Sequence, residues 1–347
     1  MFKNKKKINV AINGFGRIGR AAFKVLLNNP RVNVVAINDL VDTDVLANLL
    51  QYDSVYGKYD KKVGKTKDFI IVDNLPSSKG FGGASKKYSI YGIKDPAELP
   101  WKKLGVDVVL ECTGLFKTTE TVSGHIKAGA KKVVISAPAK DDKIKTIVIG
   151  VNENKITKND KIISMASCTT NALAPITECL NKDFGIKKAI MTTVHSYTAN
   201  QNIVDGPHKD PRRGRAAAVN IVPTTTGAAI ATTKTIPSLE GKFDGMAMRV
   251  PVVCGSIVDA VYVLNKKVTE HKINETLRKA SGGKLKSILT VTNEPLVSSD
   301  IIGNPASAIV DLAFTKVVDG DLVKVVAWYD NEWGYSNRLA EMVEIFT

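Results

Sequence analysis

The stretch Ile8-Asn9-Val10-Ala11-Ile12-Asn13-Gly14-Phe15-Gly16-Arg17-Ile18-Gly19 decides how the first half of the chain is read. A short apolar run enters a glycine-rich turn, and beyond it Ile18, Ala22, Val25 and Leu26 recur at helical spacing. The pattern is strand, turn, helix. A second apolar run, Val32 to Asn38, ends at Asp39, twenty residues past Gly19 (39 − 19 = 20). A dinucleotide site needs these parts: one glycine for the turn, a second for close approach of the pyrophosphate, a third for helix packing, and an acid for the ribose 2′-hydroxyl. A glycine fingerprint alone is a weak signal, and a merely structural turn would leave Asp39 unexplained. The acid would repel a 2′-phosphate, so NAD is expected rather than NADP.

Outward from this unit the same grammar continues. Val106 to Glu111 reads as a buried strand, Thr118 to Ala128 as a helix, and Lys132 to Ile135 and Thr146 to Ile149 as further strands. Strands alternating with helices predict a parallel, doubly wound sheet with its ligand at the strands' carboxyl ends. Thr113 and Ser136 stand just past two such ends and are candidate cofactor contacts. Between Gly57 and Tyr91 the pattern dissolves into a surface excursion, with a strand at Phe69 to Val72 and a Ser/Gly loop at Pro76 to Gly83. After residue 168 strands dominate: Lys188 to His195, Met246 to Val253, Ile257 to Leu264, Ala308 to Phe314 and Val323 to Trp328. Helices are expected at Thr169 to Leu180, Thr269 to Ala280 and Gly334 to Ile345. The expected fold is therefore an α/β Rossmann-type dinucleotide-binding domain over residues 1–167, joined by the C-terminal helix 332–347. An α+β catalytic domain with a mostly antiparallel sheet would span 168–331.

Chemistry concentrates at Ser167-Cys168-Thr169-Thr170-Asn171. Hydroxyl neighbours at a helix start and a histidine, His195, ending the next strand would both favour a thiolate, the attacking form of cysteine. A free cysteine is more often a small buried hydrophobe, and a histidine ending a strand is more often a satisfied polar residue. Their pairing is what suggests catalysis. A thiolate beside a dinucleotide site can attack an aldehyde, pass a hydride to a nicotinamide and become a thioester, with His195 moving the protons. The backbone N–H of Cys168 could help hold the oxyanion. Ser167, Thr169, Thr198, Thr226, Gly227, Arg212 and Arg249 recur around these groups and are the residue types that bind phosphate.

Composition narrows the setting. At 347 residues with 44% hydrophobic content the chain can bury two cores without staples. Its four cysteines do not form a disulfide framework, and with the four histidines they show no metal-ligand spacing, so no metal is expected. The apolar run after the basic start is too short for a secretory signal, and no stretch reaches the ~18 apolar residues of a membrane span. A cytoplasmic protein with no membrane association is expected. The net charge of +15 is spread over scattered lysine pairs rather than gathered with aromatics, so nucleic-acid binding is at most a secondary property.

Six blocks in order carry a resemblance: Asn13-Gly14-Phe15-Gly16-Arg17-Ile18-Gly19-Arg20, Ala166 to Asn171, His195-Ser196-Tyr197-Thr198, Pro223-Thr224-Thr225-Thr226-Gly227, Met248-Arg249-Val250-Pro251 and Trp328-Tyr329-Asp330-Asn331-Glu332. Over nearly its whole length the chain resembles the phosphorylating glyceraldehyde-3-phosphate dehydrogenases. The resemblance implies a homotetramer that oxidises glyceraldehyde 3-phosphate with NAD and inorganic phosphate to 1,3-bisphosphoglycerate. It implies Cys168 as nucleophile and His195 as its activator. Thr198 and Arg249 would hold the substrate phosphate, and Ser167, Thr169, Thr226, Gly227 and Arg212 the attacking phosphate. Gly14, Phe15, Gly16, Arg17, Ile18, Asp39, Lys94, Thr113, Ser136, Asn331 and Tyr335 would contact the cofactor, with Asn331 orienting the carboxamide. The chain departs from the family pattern at Met165, Ala172 and Asn200, at Lys94 where an arginine is common, and in the length of the Gly57 to Tyr91 excursion.

Three other readings compete. Erythrose-4-phosphate dehydrogenase shares the thiol and histidine, but its known members tend to carry Glu at the ribose acid and lack the Thr-Thr-Thr-Gly block. A thiol hydrolase would leave the glycine fingerprint unexplained. A basic RNA-binding protein predicts steeply salt-dependent binding and could coexist with an enzyme.

Overall fold

The computed structural model describes residues 7–76 and 85–347, so the expected Ser/Gly loop lies, beyond Pro76, outside the described residues. The chain divides into two compact units. One holds the chain up to Lys145, Ile156–Met165 and Leu339–Thr347; the other holds Thr146–Lys155 and Ala166–Arg338. Relative to the split expected from sequence, residues 146–155 fall in the second unit, and the closing helix Trp333–Phe346 divides at Leu339.

In the first unit the main sheet has the order Lys145–Thr146, Ile162–Ser164, Lys132–Ile135, Val108–Glu111, Ile8–Asn13, Val32–Asn38, Ser85–Tyr91, Phe69–Pro76, Lys61–Thr66, and Tyr52–Asp53 pairs separately with Gly57–Lys58. From Ile162–Ser164 to Ser85–Tyr91 the pairings are parallel, and the last two strands add on antiparallel. Val10, Ala11, Ile12 and Val108 to Leu110 have no solvent exposure. That is why these strands read as unbroken apolar runs: a parallel sheet is covered on both faces. One expectation fails here. Thr146 to Ile149 is not a strand beyond Thr146. Its apolar side chains are buried, but the Asn152 side chain takes the backbone groups that a ladder would use, accepting from Val148 N at 2.8 Å and donating to Thr146 O at 2.9 Å. The edge is Ile162–Ser164 with Lys145–Thr146 instead.

The second unit carries a sheet in the order Val222–Thr225, Phe243–Val250, Ile186–Ser196, Ser256–Leu264, Leu322–Tyr329, Ala308–Asp311, Leu289–Thr292, with Lys316–Val318 also on Leu322–Tyr329. Only Phe243–Val250 with Ile186–Ser196 and Leu289–Thr292 with Ala308–Asp311 run parallel among the described pairings. Ser256–Leu264 shows strict alternation: Ser256, Val258, Ala260, Tyr262 and Leu264 are buried, while Ile257, Asp259, Val261 and Val263 are partly exposed. The buried face packs under the helix Cys168–Phe184, whose Thr177 hydroxyl meets the Tyr262 hydroxyl at 3.0 Å. Ala308 to Phe314, expected as one strand, stops at Asp311 and turns into a short 3-10 segment, Leu312–Phe314, because the Asp311 carboxylate caps Ala313 N.

Candidate active site and dinucleotide groove

In the first unit the glycine turn behaves as its spacing requires. Gly14 has φ +90°, and a Cβ there would lie 2.7 Å from the Thr113 backbone nitrogen. At Gly19 a Cβ would lie 2.1 Å from Gly14 O, the close helix packing that the third glycine permits. Gly16 faces open space, with no atom within 4 Å of a Cβ, so a ligand's backbone can approach it. Gly16 also heads the helix Arg17–Leu26 without a side-chain cap, which leaves the first N–H groups available to an anion. A groove of about 800 Å³ opens here, lined by Gly14, Gly16, Asp39, Lys94 and Thr113 among others. Asp39 accepts Phe15 N at 2.7 Å and Val41 N at 3.1 Å, and a carboxylate has lone pairs to spare for a ribose diol. These residues fit a dinucleotide.

Other expected contacts are placed differently. The Phe15 side chain is fully buried against Phe23, so only its backbone borders the turn. Arg17 is committed to Asp53 at 2.8 Å and lies over the Tyr56 ring. Ile18 is half-exposed in the first turn of the helix. Ser136, half-exposed past its strand, lies by the Cys112 thiol, which burial pushes up to about 12 despite that hydrogen bond.

Below the groove lies a network that the sequence reading passed over. Glu111 is fully buried and its carboxylate receives Thr113 N at 2.8 Å, the Thr113 hydroxyl, Asn13 Nδ2 and His125 Nε2 at 3.0 Å. Trp101 Nε1 donates to His125 Nδ1 at 3.0 Å. An indole only donates, so Nδ1 accepts and Nε2 is left to donate to Glu111. The network fixes Asn13 and Thr113, the residues that flank the Gly14 turn. Its signal in the sequence was an acid closing an otherwise apolar strand.

In the second unit the nucleophile candidate sits on a strained turn. Ala166 adopts φ +53°, a left-handed conformation that costs a non-glycine residue roughly 1 kcal/mol or more, and the Tyr335 hydroxyl donates to its carbonyl at 3.2 Å. Tyr335 is thus buried beneath the turn. Ser167 caps the helix Cys168–Phe184, its hydroxyl accepting Thr170 N at 3.1 Å. Cys168 then opens the helix, half-buried, with Sγ 3.5 Å from His195 Nε2. Thr169 meets the Tyr329 hydroxyl at 2.9 Å, and Thr193 meets the same hydroxyl at 2.8 Å. The Tyr329 ring stands edge-on to the His195 imidazole, centroids 5.9 Å apart.

Burial works against the charged form of both partners. Burial pushes the Cys168 thiol up, although Arg249 and the hydroxyl and N–H of Thr169 pull the other way. Burial, helped by the Arg249 charge, pushes His195 down to about 3 against the Ser196 carbonyl's pull.

The other anion-type groups separate into two sets. Arg249 lies beside His195 with its Nε buried and unpartnered among the described residues. Thr198 donates its N–H to Gln201 Oε1 at 3.3 Å, and the buried Gln201 Nε2 has no partner among the described residues. Arg212 is exposed, whereas its neighbour Arg213 reaches inward to Thr224 Oγ1 at 2.8 Å and Thr225 O at 3.1 Å. Thr226 accepts Ala228 N at 3.2 Å, and Gly227 begins the helix Ala228–Thr235 without a side-chain cap. Asn331 has its amide oxygen held by Ser196 Oγ at 2.9 Å, Ser256 Oγ at 3.0 Å and Gly255 N at 3.2 Å. Its NH₂ is the group left to donate. No cluster of metal-ligand type occurs among the described residues, and no helix among them is long and apolar enough to cross a membrane.

One unit is thus of the dinucleotide-binding class, and the other carries a thiol, a base and a guanidinium, Arg249, whose buried Nε has no partner among the described residues, the parts of a covalent enzyme. Residues 8–119 match the family model described as glyceraldehyde 3-phosphate dehydrogenase, NAD binding domain, and residues 167–331 match the C-terminal domain of the same family. The chain is 51% identical over 336 residues to glyceraldehyde-3-phosphate dehydrogenase 1 of Bacillus subtilis, covering 96% of this chain and 97% of that one. It is 50% identical over 336 residues to the glyceraldehyde-3-phosphate dehydrogenase of Geobacillus stearothermophilus, with the same coverage. The chain belongs to the glyceraldehyde 3-phosphate dehydrogenase family.

Proposed function

We propose that this protein oxidises glyceraldehyde 3-phosphate with NAD and inorganic phosphate to 1,3-bisphosphoglycerate. The observation that carries the reading is the Cys168 thiol 3.5 Å from His195 Nε2, beside Arg249, a half-buried guanidinium whose Nε has no partner among the described residues. His195 accepts the thiol proton as Sγ attacks the aldehyde carbon and returns it to the new oxyanion, giving a hemithioacetal and a free base. NAD supplies the hydride acceptor; Gly14, Gly16, Asp39 and Thr113 are the residues to hold it, with Asn331 donating its amide NH₂ to the carboxamide. His195 then takes the hemithioacetal's hydroxyl proton, and the product on Cys168 is a thioester. Inorganic phosphate cleaves the thioester to an acyl phosphate and restores the thiol.

Arg249 and Thr198 are assigned to the substrate phosphate, since a half-buried cation with no carboxylate partner among the described residues is completed by an anion. For the attacking phosphate, Thr226 and Gly227 are assigned together with Arg213, which is better supported than Arg212 by its inward contacts. Ser167 and Thr169 act by capping and by facing the thiol.

A homotetramer is supported by the outer sheet face, where Ile190 is 62% exposed opposite the partly exposed Val261. Paired apolar residues on an open sheet face call for a covering surface. A cytoplasmic setting is supported by four free cysteines. The test is the rate of NADH appearance with glyceraldehyde 3-phosphate, with and without inorganic phosphate. Turnover independent of phosphate that favours erythrose 4-phosphate would replace this substrate by the tetrose.

A further inference from the structure

The polar side chains beneath the dinucleotide groove form a row whose hydrogen bonds have a direction. At one end the Ile93 N–H donates to Asn38 Oδ1 at 2.9 Å, while Asn38 Nδ2 donates to Ile93 O at 2.9 Å and to Asn13 Oδ1 at 2.7 Å. Asn13 Nδ2 in turn donates to Glu111 Oε2 at 2.5 Å. At the other end the Trp101 indole donates to His125 Nδ1, which leaves His125 Nε2 to donate to the same Oε2 at 3.0 Å. Thr113 gives its N–H and its hydroxyl to Oε1. A backbone N–H and an indole N–H only donate, so neither asparagine amide can be turned round without setting two donors face to face. Both arms therefore run toward Glu111, which accepts from all of its partners in the row and donates to none.

The row joins the two walls of the groove. Ile8–Asn13 lies between Val108–Glu111 and Val32–Asn38, and the strand order reverses there, which puts a dinucleotide across the carboxyl ends of these strands. On one wall, Glu111 ties down Asn13 and Thr113 beside the Gly14 turn. On the other, the rim segment 93–101 brings Ile93, Lys94, Asp95, Pro96 and Glu98 to the groove, and the row holds it at both ends, at Ile93 through Asn38 and at Trp101 through His125. The helix that bears His125, Thr119–Lys127, also packs on the rim, since a Cβ at Gly124 would lie 3.1 Å from Pro96 Cβ. We propose that Glu111 is a positioning residue that sets the spacing between the glycine turn and the rim, and with it the affinity for a ligand that must touch both. Glu111→Gln keeps the volume but sets an NH₂ against Asn13 Nδ2 and His125 Nε2, opposing buried donors. Adding Asn13→Asp repairs the row. Asn13 Nδ2 lies 2.5 Å from Glu111 Oε2 and 3.4 Å from His125 Nε2, so an oxygen in its place accepts from both sides, and the other carboxylate oxygen still accepts from Asn38.

The inference rests on the dinucleotide site and not on the chemistry at Cys168, so binding is measured on the full-length protein without substrate. Fluorescence titration with NADH and calorimetric titration with ADP-ribose and with AMP give the affinities. Glu111→Gln and Asn13→Asp are each expected to weaken NADH and ADP-ribose about tenfold, since each sets like groups against one another in a buried row. AMP, too short to span both walls, is expected to weaken less than about threefold. The double variant is expected to return to within about threefold of wild type for all three ligands, a recovery that a general loss of packing would not give. If Glu111→Gln alone does not fold, the double variant is expected both to fold and to bind. Equal losses for AMP and ADP-ribose, an unchanged affinity in Glu111→Gln, or a double variant no better than the single ones overturns the assignment.

Discussion

His195 makes the stability of this protein depend on pH in a way that can be worked out in advance. The free imidazole titrates near 6.5, and in the folded protein burial and the Arg249 charge hold it down to about 3. Between those values the unfolded chain binds a proton at this site that the folded chain does not, so stability falls as pH falls. The contribution is fully present above pH 6.5 and is lost progressively toward pH 3. At about 1.4 kcal/mol per pH unit, the loss from this one group is roughly 2 kcal/mol between pH 7 and pH 5. The perturbation is His195→Gln, which removes the titrating group. Urea unfolding midpoints and slopes for both proteins, at pH 7, 6 and 5 in phosphate-free buffer, give the comparison. The wild type should lose about 2 kcal/mol more than the variant across that range, whatever the offset between them at pH 7. Parallel pH curves would show that His195 titrates normally when folded.

Cys168→Ser should abolish aldehyde oxidation while NADH binding, followed by fluorescence, is retained; near-normal turnover would remove the covalent step. Asp39→Ala should relax discrimination against NADP by about tenfold or more in kcat/KM, since the carboxylate both accepts ribose hydroxyls and repels a 2′-phosphate. Gly14→Ala combines φ +90° with a Cβ 2.7 Å from the Thr113 nitrogen, and should cost about 2–4 kcal/mol, visible as a drop in Tm of several degrees. Arg213→Ala should raise KM for inorganic phosphate about tenfold while Arg212→Ala changes it less than twofold; the opposite ranking would return the exposed arginine to the site.

Much of the fold was legible because its rules are local. A parallel strand covered on both faces reads as a continuous apolar run, which is why Ile8–Asn13 and Val108–Glu111 were recognisable, and a one-sided strand alternates, as Ser256–Leu264 does. Thr146 to Ile149 misled for a related reason. Its residues are as apolar and as buried as a strand's, and periodicity reports burial rather than hydrogen bonding. What ends the strand is one side chain, Asn152, standing in for a neighbouring strand. The same holds at Asp311, where a carboxylate caps a short 3-10 turn in place of three further strand residues.

The candidate site divides along a similar line. Residue types and spacing picked out Cys168 and His195, and the fold brings their reactive atoms to 3.5 Å. Charge states were not legible, because they depend on what surrounds a group in space. A helix start and a histidine argue for a thiolate, yet the thiol is pushed up by burial, and the histidine that would stabilise it is pushed down by the same burial and by an arginine 54 positions away in sequence. Nor could the sequence tell Arg212 from Arg213, since adjacent residues on a loop differ only in which one the backbone turns inward. Glu111 and His125 were missed for the complementary reason. A fully buried carboxylate is costly unless several donors converge on it, and here those donors come from four positions, Asn13, Thr113, His125 and, through His125, Trp101, that meet only after folding. Such a network holds a turn in place by satisfying every polar atom beneath it. Its loss should therefore appear as weakened dinucleotide affinity in a folded protein, with the chemistry at Cys168 left intact.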